Sequence, residues 1–131
     1  MADPILEQII NHLEFLGYEV SSNENVIRAR HPSRANMLLK TYNGMVLFTA
    51  IFGAAEGARN DRLGYLEFIN ALNEGAMVAR AYADSDADLF FEACFANSYD
   101  KATFARFIEA WHRDTDQQLG QKSAQSNKYL Q

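Results

Sequence analysis

Residues 37–52 read MLLKTYNGMVLFTAIF and carry the clearest structural signal in the chain. Two runs of strand-forming side chains, 37–42 and 45–52, are separated only by Asn43 and Gly44. Asn and Gly readily adopt the positive φ angles that a two-residue turn between antiparallel strands requires. The stretch therefore predicts a β-hairpin.

Strand patterns continue on both sides of this hairpin. Before the hairpin, residues 18–20 alternate in polarity and residues 26–31 form a second such run. Further along, residues 77–83 and 89–96 flank the polar turn 84–88. Connections this short require antiparallel pairing. The sequence therefore predicts one antiparallel sheet of five to six strands.

Three helices are predicted around this sheet. The first begins at Asp3-Pro4, a favourable cap followed by a favourable first position, and ends at Gly17. The second covers residues 63–73, and the third is capped by Ser98 or Asp100 and runs to about residue 119. The predicted order is α-β-β-β(-β)-α-β-β-α. This order indicates an α+β fold whose helices lie on one face of the sheet.

Length and composition indicate a single domain. The chain has 131 residues, of which 48% are hydrophobic and 22% charged, as in ordinary globular proteins. We assign residues 1–119 to one α+β domain, with 53–62 as a connector and Trp111 in the core. Residues 120–131 are polar and aperiodic, so we predict a disordered tail there.

Charge is unevenly distributed along the chain. The net charge is −5, yet residues 26–62 carry six basic and two acidic side chains, whereas residues 1–25 carry five acidic and no basic ones. An acidic chain is a poor general binder of nucleic acid. The basic middle section keeps a small anionic partner open as an alternative.

Several other classes of protein are disfavoured. A single cysteine excludes an internal disulfide and a Cys-rich zinc site. The chain begins without a basic segment typical of a signal peptide, and its apolar runs are too short to span a membrane. We expect a cytoplasmic protein that does not contact a membrane.

No pattern of residues predicts catalysis, a metal site or a cofactor. The spacing of Asp84, Asp86 and Asp88 resembles a calcium loop, but Leu89 and Phe95 stand where Gly and Glu are needed, so we predict a polar turn. The three histidines lack metal-ligand spacing. Cys94 and His31 are residue types that form nucleophilic pairs, but nothing in the sequence places them together.

Period-two alternation sorts the strand side chains onto two faces. The charged side should lie away from the helices. It carries these candidate partner-binding residues: Arg28, Arg30, Lys40, Tyr42, Arg80, Tyr82 and Phe90. Protein interfaces favour Arg and aromatic side chains, so this side is either an interaction face or a solvated surface with scattered aromatics.

Several local runs resemble a known family. They are Arg28-x-Arg30-His31-Pro32, Tyr42-Asn43-Gly44, Leu72-Asn73, Ala79-Arg80-Ala81-Tyr82, Asp86-x-Asp88-Leu89 and Phe104-x-x-Phe107-Ile108. Over about residues 3–119 the chain resembles the YbjN-like family of proposed bacterial sensory transduction regulators. The domain of that family is similar to the fold of type III secretion chaperones.

The resemblance implies a non-enzymatic, chaperone-like or regulatory module that holds a partner protein and often forms a homodimer. If the charged side is an interaction face, the candidate arginines and tyrosines predict that the contact lies on a sheet face or edge. The identity of the partner is left open. The alternative is an anion or nucleic-acid binder that uses the basic residues of the sheet face.

Overall fold

A six-stranded antiparallel sheet organises the computed structural model of this protein, which describes residues 3–131. The strands are β1 (Glu19–Asn23), β2 (Val26–Arg30), β3 (Met37–Tyr42), β4 (Met45–Phe52), β5 (Arg80–Ala83) and β6 (Leu89–Ala96). Their order across the sheet is β1-β2-β3-β4-β6-β5. Every neighbouring pair is antiparallel, which confirms the predicted single sheet and the α+β class.

The hairpin predicted at the centre of the sheet is present. Asn43 and Gly44 have φ angles of 49° and 77°, and Tyr42 lies directly opposite Met45. Both turn residues thus occupy the left-handed region, which Gly and Asn tolerate better than other residues. This turn sets the register of β3 against β4.

The helices are more numerous than predicted. They are α1 (Pro4–Phe15), α2 (Glu56–Asn60), α3 (Arg62–Gly75), α4 (Lys101–His112), α5 (Gln118–Gln121) and α6 (Ser123–Tyr129), with a π-helical segment (Arg113–Gln117) between α4 and α5. Helices α1, α3 and α4 correspond to the three predicted ones. Asp3 caps α1 and Asp100 caps α4, each through a 2.9 Å hydrogen bond from a backbone amide.

The end of the chain is ordered, contrary to the predicted disordered tail 120–131. Helix α6 brings Tyr129 into the core with 4% of its surface exposed, and Leu130 is also buried. The backbone N–H of Gln131 donates to the carbonyl oxygen of Gly53 at 2.9 Å. The polar composition of residues 120–131 gave no indication of this packing. Two residues, Tyr129 and Leu130, are enough to anchor the short helix.

The segment that receives this tail was predicted to be a plain connector, 53–62. It contains α2, and it needs glycine where the chain end crosses it, because a Cβ at Gly57 would clash with the carbonyl oxygen of Lys128. The predicted domain boundary at residue 119 cuts through these contacts. Residues 1 and 2, which the predicted domain 1–119 includes, lie outside the described part of the chain.

The core lies between the helices and one face of the sheet. Every strand residue in the core belongs to that face, as alternation predicted. Trp111 of α4 is fully buried, with its ring centre 6.2 Å from that of Phe48 in β4, which confirms the predicted core position. In the described part of the chain, the core contains no side chain from the opposite face of the sheet.

Strand β5 begins at Arg80, three residues later than the predicted run 77–83. The backbone amides of Met77 and Ala79 instead donate to the carboxylate of Asp114, at 2.9 and 2.8 Å. These residues therefore bind a side chain of the π-helical segment rather than a neighbouring strand.

Candidate partner-binding face

The face of the sheet opposite the helices, called the open face below, carries all the predicted candidate residues. They lie on four strands: Arg28 and Arg30 on β2, Lys40 and Tyr42 on β3, Arg80 and Tyr82 on β5, and Phe90 on β6. Phe90 is half-buried and the others are exposed. Strand alternation alone thus assigned them to the correct side.

The register arranges these side chains in rows across the sheet. In one row, Ile51 of β4 lies opposite Phe90, and Phe90 lies opposite Tyr82. The adjacent row reads, strand by strand, Arg28, Leu38, Thr49, Glu92 and Arg80. The candidates therefore belong to one continuous surface.

An ion pair and an aromatic stack occupy the β5–β6 end of the open face. Nη2 of Arg80 donates to Oε1 of Glu92 at 2.7 Å, and the Arg80 guanidinium lies 5.7 Å from the centre of the Tyr82 ring. Tyr82 stacks on Phe90 with ring centres 5.3 Å apart. The hydrogen bond to Glu92 raises the pKa of Arg80. This arginine therefore stays positively charged, but it is paired with a carboxylate.

Free positive charge lies at the other end of the open face. Arg28, Arg30 and Lys40 are exposed, and among residues 3–131 no carboxylate oxygen comes within 4.0 Å of their nitrogens. The Lys40 ammonium lies 5.9 Å from the centre of the Tyr42 ring. These three side chains give an acidic protein a locally basic surface.

The structure does not bring the two ends together. Strands β2 and β5 are separated by β3, β4 and β6. With neighbouring strands about 4.8 Å apart, Arg28 and Arg80 belong to backbones roughly 19 Å apart. The candidate residues therefore form two clusters at opposite ends of one face.

The strip between these clusters is mostly apolar, with Thr49 as its polar member, and sequence reasoning missed it. Leu38, Leu47 and Ile51 lie there, and Ile51 is 47% exposed. Together with Phe90 they line a shallow depression of about 220 Å³. Residues 45–52 are largely apolar on both faces, so no charge marks the outward side. Counting alternate residues along β4 from the Asn43–Gly44 turn would have assigned Leu47 and Ile51 to the open face.

The residues considered above for calcium binding or for a nucleophilic pair do not form such sites. The Asp84 carboxylate accepts the backbone N–H groups of Asp86 and Asp88 at 3.0 Å each, which confirms the polar turn. Cys94 is exposed on the open face, whereas the His31 ring packs 4.8 Å from that of Tyr18, a core residue. The structure does not unite Cys94 and His31 in a nucleophilic pair.

Two histidines make buried or half-buried hydrogen bonds. Nδ1 of His12 lies 2.9 Å from the Tyr99 hydroxyl. His112 of α4 is buried, with Nε2 3.0 Å from the Tyr18 hydroxyl. Burial raises the pKa of Tyr18 to about 12, so this phenol stays protonated as a hydrogen-bonding partner.

Within residues 3–131, no group of three or more His, Cys, Asp or Glu side chains is placed to hold a metal ion. No helix in the same part of the chain has the length and apolar character needed to cross a membrane.

Comparison with known proteins identifies the fold. No family model matches the chain, and no curated protein matches it. The structure is similar to the crystal structure of YbjN, a proposed transcription regulator from E. coli, with a TM-score of 0.68, 16% identity, and coverage of 96% of this chain and 95% of that one. It is also similar to an uncharacterised protein from Methanothermobacter thermautotrophicus, with a TM-score of 0.64, 12% identity, and coverage of 92% and 98%. The predicted resemblance to YbjN-like proteins is thus confirmed for the fold.

Proposed function

We propose that this protein is a non-enzymatic binding module that holds a partner protein on its open face. The observation that carries the proposal is the apolar strip of Leu38, Leu47 and Ile51, which no helix within residues 3–131 covers. Arginines and tyrosines flank this strip at both ends, and this composition is typical of protein interfaces. Ile51 is 47% exposed and Leu38 and Leu47 are half-buried, so a partner seated here would remove apolar surface from water.

The binding role is regulatory or chaperone-like. Similarity to YbjN, which is described as a proposed transcription regulator, supports a regulatory role, although a shared fold is a weaker argument than the site itself. We further propose that the protein can form a homodimer. The open face can serve for self-association as well as for a different partner.

A pair of matched substitutions tests the proposal. Ile51 and Leu63 are both exposed aliphatic residues, but Ile51 lies on the open face and Leu63 on α3. We expect Ile51→Glu to abolish partner capture from cell extract, and any self-association seen by light scattering, while Leu63→Glu preserves both. Equal behaviour of the two folded variants would place binding elsewhere.

The second candidate function is binding of an anion or nucleic acid. It is favoured by the cations of Arg28, Arg30 and Lys40, which form no ion pair in the described chain. Affinity for a nucleic acid would fall steeply as salt is raised, with a slope set by the number of phosphates contacted. Charge reversal at Arg28 and Arg30 would then remove binding, whereas Ile51→Glu would leave most of it.

A further inference from the structure

The two edge strands of the sheet, β1 and β5, differ in whether other groups bind their outward backbone atoms. At the β5 edge, the Asn73 side chain accepts the N–H of Ala81 at 2.8 Å and donates to its carbonyl at 3.0 Å. Asp114 binds the N–H of Ala79 at 2.8 Å. These side chains occupy outward groups of Ala79 and Ala81 that another strand would need, and covering a sheet edge is a common protection against such pairing.

The β1 edge has no such cover. Strand β1 pairs only with β2, and within residues 3–131 no other hydrogen bond reaches its backbone. A two-residue turn joins Asn23 to Val26, so these two form the hydrogen-bonded closing pair. By alternation, the backbone N–H and C=O groups of Val20 and Ser22 point outward, ready to pair.

A groove lies beside this edge on the helix-bearing side. It is a cavity of about 420 Å³ between α1 and the β1–β2 turn, and Ser22 of β1 contributes to its wall. Leu6 and Ile10 supply apolar surface, while Glu7 and Glu24 supply carboxylates. Neither glutamate has a Lys or Arg nitrogen within 4.0 Å in the described chain.

We infer that the β1 edge binds an extended, basic segment of a partner protein as an added strand, with a Lys or Arg side chain in the groove. Strand addition supplies main-chain hydrogen bonds, and pockets for alternate side chains supply specificity. A lysine stem fits along Leu6 and Ile10 while its ammonium meets Glu7 or Glu24. The inference rests on the proposed function and assigns part of the partner to a second surface.

The carboxylates on the groove side of β1 argue against a second copy of this chain as the occupant, because the nearest cations, Arg28 and Arg30, belong to the next strand and lie on the open face. Residues 1–25 carry five acidic and no basic side chains, including Glu19 on β1 itself. Pairing two β1 edges would bring these acidic segments together. Like charges across an interface disfavour association, whereas a basic strand is complementary.

The test uses a fluorescently labelled synthetic peptide in which lysine alternates with threonine, and fluorescence anisotropy as the readout. We expect it to bind, and a version N-methylated at alternate backbone nitrogens to bind at least about tenfold more weakly, since methylation removes main-chain donors. A peptide with glutamate for lysine should not bind. Because methylation changes only the probe, this comparison does not depend on how a variant folds.

Protein variants locate the site. Ser22→Pro removes an outward N–H at an edge position that tolerates proline, and should weaken binding, as should Glu7→Gln with Glu24→Gln. The matched control is Glu67→Gln, an exposed carboxylate on α3, which should have no effect. Unchanged affinity after N-methylation would show attraction by charge alone and overturn the inference. A homodimer that Ser22→Pro dissociates would also overturn it, by assigning the edge to a second copy.

The open-face variant separates this inference from the proposed function. Ile51→Glu should keep full peptide affinity even while it loses a partner bound to the open face. Loss of the peptide in Ile51→Glu, with Ser22→Pro unaffected, would place the basic segment on the open face and refute the edge site alone.

Discussion

Oδ2 of Asp114 lies 2.7 Å from the backbone nitrogen of Val78. The same carboxylate accepts the N–H groups of Met77 and Ala79, and it is completely buried. Asp114 belongs to the π-helical segment that continues α4, so one side chain joins the last long helix to the residues that lead into β5. Such π-helical turns often mark positions with a specific task. Here the task is to hold the beginning of an edge strand.

Replacing this carboxylate should be costly. Asp114→Asn keeps the size of the side chain but turns an amide donor toward backbone donors, and hydrogen bonds to a charged acceptor are the stronger kind. We expect the free energy of unfolding in urea to fall by about 3 kcal/mol. Amide hydrogen exchange at 77–79 should accelerate.

The control for this variant is Asp86→Asn, in the exposed turn, which should change stability by less than about 0.5 kcal/mol. If the two variants have equal stability, the Asp114 contacts do not hold β5.

Local signals account for what the sequence predicted well. The Asn43–Gly44 turn determines its own backbone conformation, and the apolar spacing around Trp111 identifies the buried side of α4. Asp114 and the tail were missed for a common reason. A carboxylate on a helix usually faces water, and a polar terminal segment is usually disordered, so neither is expected to bury side chains.

The candidate site, too, was predictable in its local features and not in its long-range ones. Alternation identified the side on which Arg28 and Arg80 lie, because the period of a strand is a local property. Their separation depends on β4 pairing with β6 rather than β5, which connection lengths do not determine. The Arg80–Glu92 ion pair likewise requires the register of two strands. Long-range pairing therefore limited the prediction of the site.

The chain end should respond to substitution as a docked element. Tyr129→Ala removes a buried aromatic ring, and we expect a loss of about 3 kcal/mol in the free energy of unfolding. Deletion of residues 121–131 should lower the melting temperature as well. Gln125→Ala, at an exposed position on the same helix, is the control and should leave stability unchanged. A truncated protein as stable as the full chain would contradict the docking of α6.

Asp61 should make stability depend on acidity. Lys128 and Tyr129 donate to its Oδ2 at 2.7 and 2.9 Å, and these bonds, with one from the Gly64 amide, lower the pKa of Asp61 from 3.8 to about 2. A folded-state pKa below the unfolded one stabilises the fold at pH above about 4, and this stabilisation is lost as pH falls toward 2.

Denaturant unfolding of wild type and Asp61→Asn at several pH values measures this contribution. The stability difference between the two proteins should be constant above about pH 4 and shrink steadily toward pH 2. A difference that does not change over this interval would show that Asp61 is not the titrating group.

Asn73 gives a test of how the β5 edge is protected. Its side chain makes both a donor and an acceptor bond to Ala81, in the way that a neighbouring strand would. Asn73→Ala should lower the free energy of unfolding by about 1 kcal/mol and leave the Ala81 amide and carbonyl open. Open edges promote pairing between chains, so sedimentation velocity should show more self-association for this variant than for wild type.

Asn70→Ala, at another exposed position on α3, should change neither property. If Asn73→Ala sediments and unfolds like wild type, the amide bonds to Ala81 do not protect the edge, and the contrast between the β5 and β1 edges loses its energetic basis.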